Sequence, residues 1–246
     1  DYQQRAIDHL YAWFSSHSEG HPCLELPTGS GKSHIVAELC QDALTSWPGT
    51  RVLMLTHVKE LIRQNANKML EHWPDAPLGI YSAGLNQREL GQPITFAGIQ
   101  SVRKRASEIG HIDLVIVDEC HLINHKQEGG YRGLIDDLTA INPALRVVGL
   151  TATPYRLGHG LITDQPALFS VLIQPTTMEE LIHKKYLAPL RSKRTDIRMS
   201  VEGVRKRGGD YREDDLLKAL ENFDTMSAVH EAMRRAEHCR SILFFC

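Results

Sequence analysis

Residues 23–39 read CLELPTGSGKSHIVAEL. A short apolar run, a turn containing Pro27 and two glycines, and a helix-compatible tail follow one another without a gap. The apolar run predicts a strand, and Ile35, Val36 and Leu39 fall at the spacing of one helix face. The turn therefore joins the carboxyl end of a strand to the amino end of a helix, where unpaired N–H groups and the helix dipole favour an anion. Gly29, Ser30 and Gly31 supply a tight wrap, Lys32 a cation and Ser33 a hydroxyl, the parts of a phosphate cradle. The strict pattern G-x-x-x-x-G-K-S/T asks for glycine at position 26, where this chain has leucine. Leu26 and Pro27 alter only the outermost part of the loop, where another residue can start the turn. Alone, the stretch also reads as a Gly-Ser turn with an incidental lysine, so its neighbours decide.

Working outward, further apolar runs recur at residues 51–57, 78–82, 94–98, 113–119 and 146–152. RVLMLTH leads into VKELIRQNANKML, where Val58, Leu61, Ile62 and Met69 keep helical spacing and Asn65 is a polar exception. Near-continuous apolar strands alternating with helices predict a parallel sheet covered on both faces, and ligands of such sheets bind beyond the strands' carboxyl ends. The unusual residues cluster there: PTGSGKS, TH, DECH and TATP each directly follow an apolar run.

In VIVDECH the apolar residues before Asp118 put its carboxylate at a strand end, suited to hold Mg²⁺ opposite Ser33, while Glu119 can deprotonate a water. A plain acidic loop is the bland alternative. A zinc site is excluded because four adjacent residues cannot converge on one tetrahedral ion. Cys120 reads as a buried filler and His121 as a polar coupler or a packed histidine. In GLTATPYRLG, Thr151 and Thr153 flank a small residue where they can hydrogen-bond the neighbouring strand's polar residues, though a polar turn reads the same way.

Composition bounds the rest. Of 246 residues, 42% are hydrophobic and 24% charged, globular values that exclude a disordered or fibrous chain. A net charge of -2 leaves nucleic-acid binding to a local basic track. Five cysteines with no C-x-x-C pair argue against a disulfide framework or zinc ribbon and for a reducing compartment. No apolar run reaches the ~18 residues of a membrane span, so a soluble protein with no membrane partner is expected. Neither an internal repeat nor a low-complexity tract is present.

After residue 187 the chain turns polar and basic, with nine Lys and Arg against two acidic residues between Lys184 and Arg207; Arg205, Lys206, Arg207, Gly208 and Gly209 read as an exposed loop. Two helical stretches, DDLLKAL and DTMSAVHEAMRRAEH, precede the apolar run SILFFC, expected to be a strand of a second domain that this chain only begins. The expected division is 1–187 and 188–246.

The order YQQRAI, PTGSGKS, DECH, TAT resembles the superfamily-two DEAD/DEAH-box-like helicases, whose phosphate loop reads P-T-G-x-G-K-S/T and needs no first glycine. LTHVKELIRQN, TFAGIQSV, DLVIVDECH, GLTATPYRLG and KYLAPL bring it nearest to the bacterial RadD-type DNA-repair branch, over about residues 1–160. The resemblance implies an α/β fold, a RecA-like doubly wound parallel sheet (P-loop NTPase), with the start of a second RecA-like lobe. It implies ATP and Mg²⁺ as cofactors. ATP would lie on Thr28, Gly29, Ser30, Gly31, Lys32 and Ser33, with Gln3 reading the adenine edge and Tyr2 packed beneath the nucleotide. Ser33 and Asp118 would hold Mg²⁺, Glu119 would act as general base with Lys32 and Asp118 beside it, and His121, Thr151 and Thr153 would couple hydrolysis to domain movement. Thr56, His57, Lys59, Gln100, Ser101 and Arg156 are the implied nucleic-acid contacts, with a solvated surface side chain as the bland reading of each.

The resemblance favours DNA over RNA and a monomer in the bacterial cytoplasm, at the nucleoid. Arginine fingers of the second lobe would lie beyond Cys246, so hydrolysis by this chain alone is expected to be slow, by a factor of ~10³ or more. Two further readings stay open: the motor subunit of a restriction system, and an ATP-gated nucleic-acid switch. A small-molecule P-loop kinase has no use for DECH and TATPYR.

Overall fold

The apolar runs become one eight-stranded sheet because each is too hydrophobic to leave either face in water. The computed structural model describes residues 1–123, 130–156, 160–164, 167–190, 196–197, 200–207, 210–221, 223–239 and 241. The strands are β1 (Pro22–Glu25), β2 (Val52–Thr56), β3 (Leu78–Ser82), β4 (Gln87–Arg88), β5 (Ile94–Gly98), β6 (Leu114–Asp118) and β7 (Arg146–Thr151). A small hairpin of β8 (Tyr155–Arg156) and β9 (Gly160–Leu161) follows, and β10 (Val171–Ile173) completes the sheet. The order is β10-β1-β7-β6-β2-β5-β3-β4, and every pair is parallel except β3 with β4.

Alternate strand residues feed two cores. Leu24, Met54, Ile116 and Val148 face α1 (Tyr2–Ser16), α2 (Lys32–Ser46) and α3 (Lys59–His72), which contribute Leu10, Val36 and Ile62. Cys23, Leu53, Val115 and Val147 face the other layer, α4 (Ile99–Val102), α5 (Ala106–Ile109) and α6 (Gly130–Ile141), with Val102, Ile109 and Leu138. Helices on both faces of a parallel sheet make this a doubly wound α/β fold, and the carboxyl ends of the adjacent strands β1, β7 and β6 become neighbours. Two strands of this sheet have no counterpart among the apolar runs: β4, which pairs through only two residues, and β10, three residues long.

The chain divides into two compact units, Asp1–Arg156 with Gly160–Leu187, and Ala188–Cys246 with residues 157–159. The first ends in α7 (Met178–His183), whose Glu180 accepts from Arg5 at 2.8 Å and Lys184 at 2.7 Å, tying it to α1. In the second, β11 (Lys206–Arg207) pairs antiparallel with β12 (Asp210–Tyr211), followed by α8 (Glu213–Glu221) and α9 (Thr225–Arg235). Lys206 and Arg207, expected in an exposed loop, form a strand instead, while Arg205 is exposed and engaged by Asp215 at 2.8 Å. Gly208 and Gly209 of that expected loop lie outside the described residues. Glu231 of α9 is buried and takes the N–H groups of Asp196 and Ile197. Residues 242–246 of SILFFC, and Arg191, Lys193, Arg194 and Arg198 of the basic run, lie outside the described residues.

Candidate active site

β1 ends at Glu25, and the loop after it is rooted in the sheet by the Leu26 N–H, which donates to the Thr151 carbonyl at 2.9 Å. Gly29 and Gly31 adopt φ of +81° and +76°, values that side chains with a β-carbon rarely take. The wrap they allow brings the chain back so that Lys32 opens α2 and its Nζ donates to the Leu26 carbonyl at 3.2 Å. Leu26 is fully buried, so the residue that departs from the strict motif anchors the loop in the core. Thr28 and Gly29 are exposed.

The start of α1 reaches this loop. The Tyr2 hydroxyl donates to the Ser30 carbonyl at 2.6 Å, and Gln3 Nε2 reaches the same oxygen at 3.5 Å. Tyr2 is buried edge-on against Tyr186, and Leu187 borders Gly29. Ser30 is 1% exposed and, among the described residues, its hydroxyl has no hydrogen-bond partner. A buried donor, two left-handed glycines and a lysine at a helix start fit the phosphates of a nucleotide.

Asp118 closes β6 in the middle of the sheet, and its Oδ1 accepts the Glu119 N–H at 3.0 Å. Glu119 turns out of the strand with φ +49° and ψ +47°. That turn sets its carboxylate 3.4 Å from His121 Nδ1, and the same ring nitrogen lies 2.8 Å from Thr151 Oγ1 on β7. Thr151 Oγ1 accepts from the Thr153 N–H at 3.0 Å, so Glu119, His121, Thr151 and Thr153 form one chain of polar contacts across two strands. Cys120 points the other way, into the core. Its sulfur is 3.4 Å from that of Cys23, and burial first, then Cys23, pushes its thiol pKa up.

Lys32, Ser33, Asp118 and Glu119 line one cavity of about 70 Å³ with Val36, Met54, Asn65 and Leu150. Ser33 Oγ donates to Asn65 Oδ1 at 3.3 Å and Asn65 Nδ2 donates to Asp118 Oδ2 at 3.0 Å. A hydroxyl and a carboxylate beside a phosphate cradle are the oxygen donors a Mg²⁺ ion takes. Asn65 is the participant that sequence reasoning missed. Its signal was a polar side chain on the otherwise apolar face of α3.

The implied nucleic-acid contacts divide. His57, Lys59, Gln100 and Ser101 line one depression of about 390 Å³ with Ser82, Gly84 and Gly98, at the carboxyl ends of β2, β3 and β5. His57, Lys59 and Gln100 are exposed there, and Ser101 Oγ accepts the Ala83 N–H at 2.9 Å. The structure does not bring Thr56 to this surface: it is 1% exposed, because it still belongs to the central strand β2. Arg156 lies in β8, and its side chain falls outside the described residues.

Residues 1–156, well over half of the chain, match the family model ResIII, described as type III restriction enzyme, res subunit. The chain belongs to this family. Over 221 residues it is 29% identical to a 51.5 kDa protein of Lactococcus phage (isolate 7-9), covering 90% of this chain and 43% of that protein. The chain thus spans less than half the length of this curated relative. Among solved structures it superposes on the UvsW helicase of bacteriophage T4 with a TM-score of 0.55 at 22% identity, over 71% of this chain and 59% of that one. A nuclease-deletion mutant of the type ISP restriction-modification enzyme LlaGI, in complex with a DNA substrate mimic, gives 0.55 at 14% identity, over 76% and 20%. These likenesses show the fold, an α/β sheet of the RecA-like kind. Among the described residues no helix is long and apolar enough to cross a membrane.

Proposed function

We propose that this ResIII-family chain carries the ATP-binding lobe of a DNA-tracking motor, a helicase or translocase. The observation that carries the reading is the meeting of Lys32, Ser33, Asp118 and Glu119 in one cavity from two separate stretches of sequence. A phosphate-binding protein without hydrolysis needs Lys32 and Ser33 but has no use for Glu119 in contact with His121, which meets Thr151.

ATP bound with Mg²⁺ supplies a γ-phosphoryl group open to attack by water. Toward it, Lys32 and the Gly29–Ser33 loop hold phosphate oxygens, while Ser33 and Asp118 hold the cation. Glu119 accepts the proton of the attacking water. Its carboxylate contacts His121, so a change in its charge is felt at Thr151, the end of β7, and at Thr153 on the loop leading out to β8. The depression lined by His57, Lys59, Gln100 and Ser101 supplies amide, hydroxyl and cationic groups suited to a sugar–phosphate backbone, which gives register without reading sequence. DNA rather than RNA, a role in repair of the RadD kind, and a monomeric state belong to this reading.

The test is ATP hydrolysis by a longer protein containing this chain, without nucleic acid and with single-stranded, duplex or forked DNA or RNA. Stimulation by DNA, lost by a factor of ~10²–10⁴ in Glu119→Gln while ATP binding persists, is the expected outcome. No stimulation by any polymer would turn the reading into that of an ATP-gated switch.

The family match favours a second reading, the motor of a restriction enzyme. It predicts that the longer protein cleaves or translocates on DNA only when a specific recognition sequence is present. Equal ATPase stimulation by DNA of any sequence argues against it.

A further inference from the structure

We propose that Asn65 is a positioning residue for the divalent cation of the nucleotide site, which deepens the nucleotide reading above and rests on it. Asn65 lies one turn and a half into α3, between the buried Ile62 and Met69 of that helix. Its amide makes one bond to each of the two proposed cation ligands, accepting from Ser33 at 3.3 Å and donating to Asp118 at 3.0 Å.

The direction of these bonds matters. A serine hydroxyl has one proton and two lone pairs. By taking the proton, Asn65 Oδ1 leaves the lone pairs of Ser33 for a ligand. Asp118 has one donor on each oxygen, Glu119 N on Oδ1 and Asn65 Nδ2 on Oδ2, which fixes the plane of the carboxylate and leaves further acceptor capacity on both atoms. A side chain that both accepts and donates can orient a hydroxyl and a carboxylate together. Aspartate cannot donate to Asp118, and an apolar residue does neither. A merely solvated polar residue on α3 would not line this cavity, and Asn65 does. Partners of this outer kind typically alter metal affinity ~10–100-fold when removed.

The experiment measures binding of a fluorescent ATP analogue to this chain, first in EDTA and then across a Mg²⁺ titration. Wild type is compared with Asn65→Leu, Asn65→Ala and Asn65→Gln. Leucine keeps the branched shape without a donor or acceptor, alanine avoids added apolar bulk, and glutamine keeps both the donor and the acceptor. The expected result is affinity in EDTA within about twofold of wild type for all three. The Mg²⁺ midpoint rises ~10–100-fold in the Leu and Ala variants, with partial recovery in Gln. An unchanged Mg²⁺ midpoint in the Leu and Ala variants, with wild type binding normally, overturns the proposal alone. Loss of affinity by the same factor with and without Mg²⁺ also overturns it, because that is what a packing role produces. If wild type binds no analogue under either condition, the nucleotide reading falls and takes this one with it.

Discussion

Glu119 is one of three non-glycine residues at positive φ among the described residues, and it is the proposed general base. A left-handed conformation costs an L-residue about 1–2 kcal/mol, so the backbone is held there by its surroundings, among them the bond from its own N–H to Asp118. Glu119→Gly removes that strain. The variant should unfold in urea at a higher midpoint, by up to about 1 kcal/mol once the added freedom of the unfolded chain is allowed for, while hydrolysis is lost. A variant less stable than wild type would show that the carboxylate's contact with His121 outweighs the strain. At this scale the sequence is most legible where function is local. PTGSGKS and DECH declare themselves because neighbouring residues act together. Asn65 does not, because its partners Ser33 and Asp118 lie 32 and 53 residues away and meet it only after β1, β2 and β6 are assembled.

Among the elements, β7 runs between β1 and β6, and Gly149 sits at the crossing of the two ladders, opposite Cys23 on one side and Val117 on the other. A β-carbon there would stand 2.7 Å from both the Cys120 sulfur and the ring of Phe169. Two bulky groups thus lie directly on the strand backbone where a larger residue would separate them. Gly149→Ala should cost about 1–3 kcal/mol through overpacking, read as a lower urea midpoint at unchanged slope, and should disturb Glu119 and His121 through Cys120. An unchanged midpoint would mean that Phe169 moves aside freely. The strands of the sheet interior and the helices α2 and α3 are legible because their apolar periods are strong; β4 and β11–β12 are not, since two residues carry no period.

For the whole molecule, pH sets stability through a residue away from the site. His21, just before β1, has its pKa lowered to about 4, by burial first and then by the nearby Arg146 guanidinium. Its ring is therefore neutral in the folded protein, whereas the unfolded chain binds a proton below about pH 6.5. The unfolded state binds more protons between those values, so stability rises with pH there. The stabilisation is complete above about 6.5 and is lost as pH falls toward about 4. The loss should be of order 2 kcal/mol, and His21→Asn should flatten the dependence of the urea midpoint between pH 7 and 4.5. An equal pH dependence in the variant would assign the effect to other groups.

β10 is three residues, Val-Leu-Ile, reached only after the chain has passed through PTGSGKS, DECH and TATP. By pairing Val171, Leu172 and Ile173 with Pro22, Cys23 and Leu24, it makes β1 an interior strand rather than an edge. The segment from which the phosphate loop springs is thereby laddered on both sides. An interior strand frays less readily than an edge, so the root of the loop is held by a stretch of chain that no pattern search would mark.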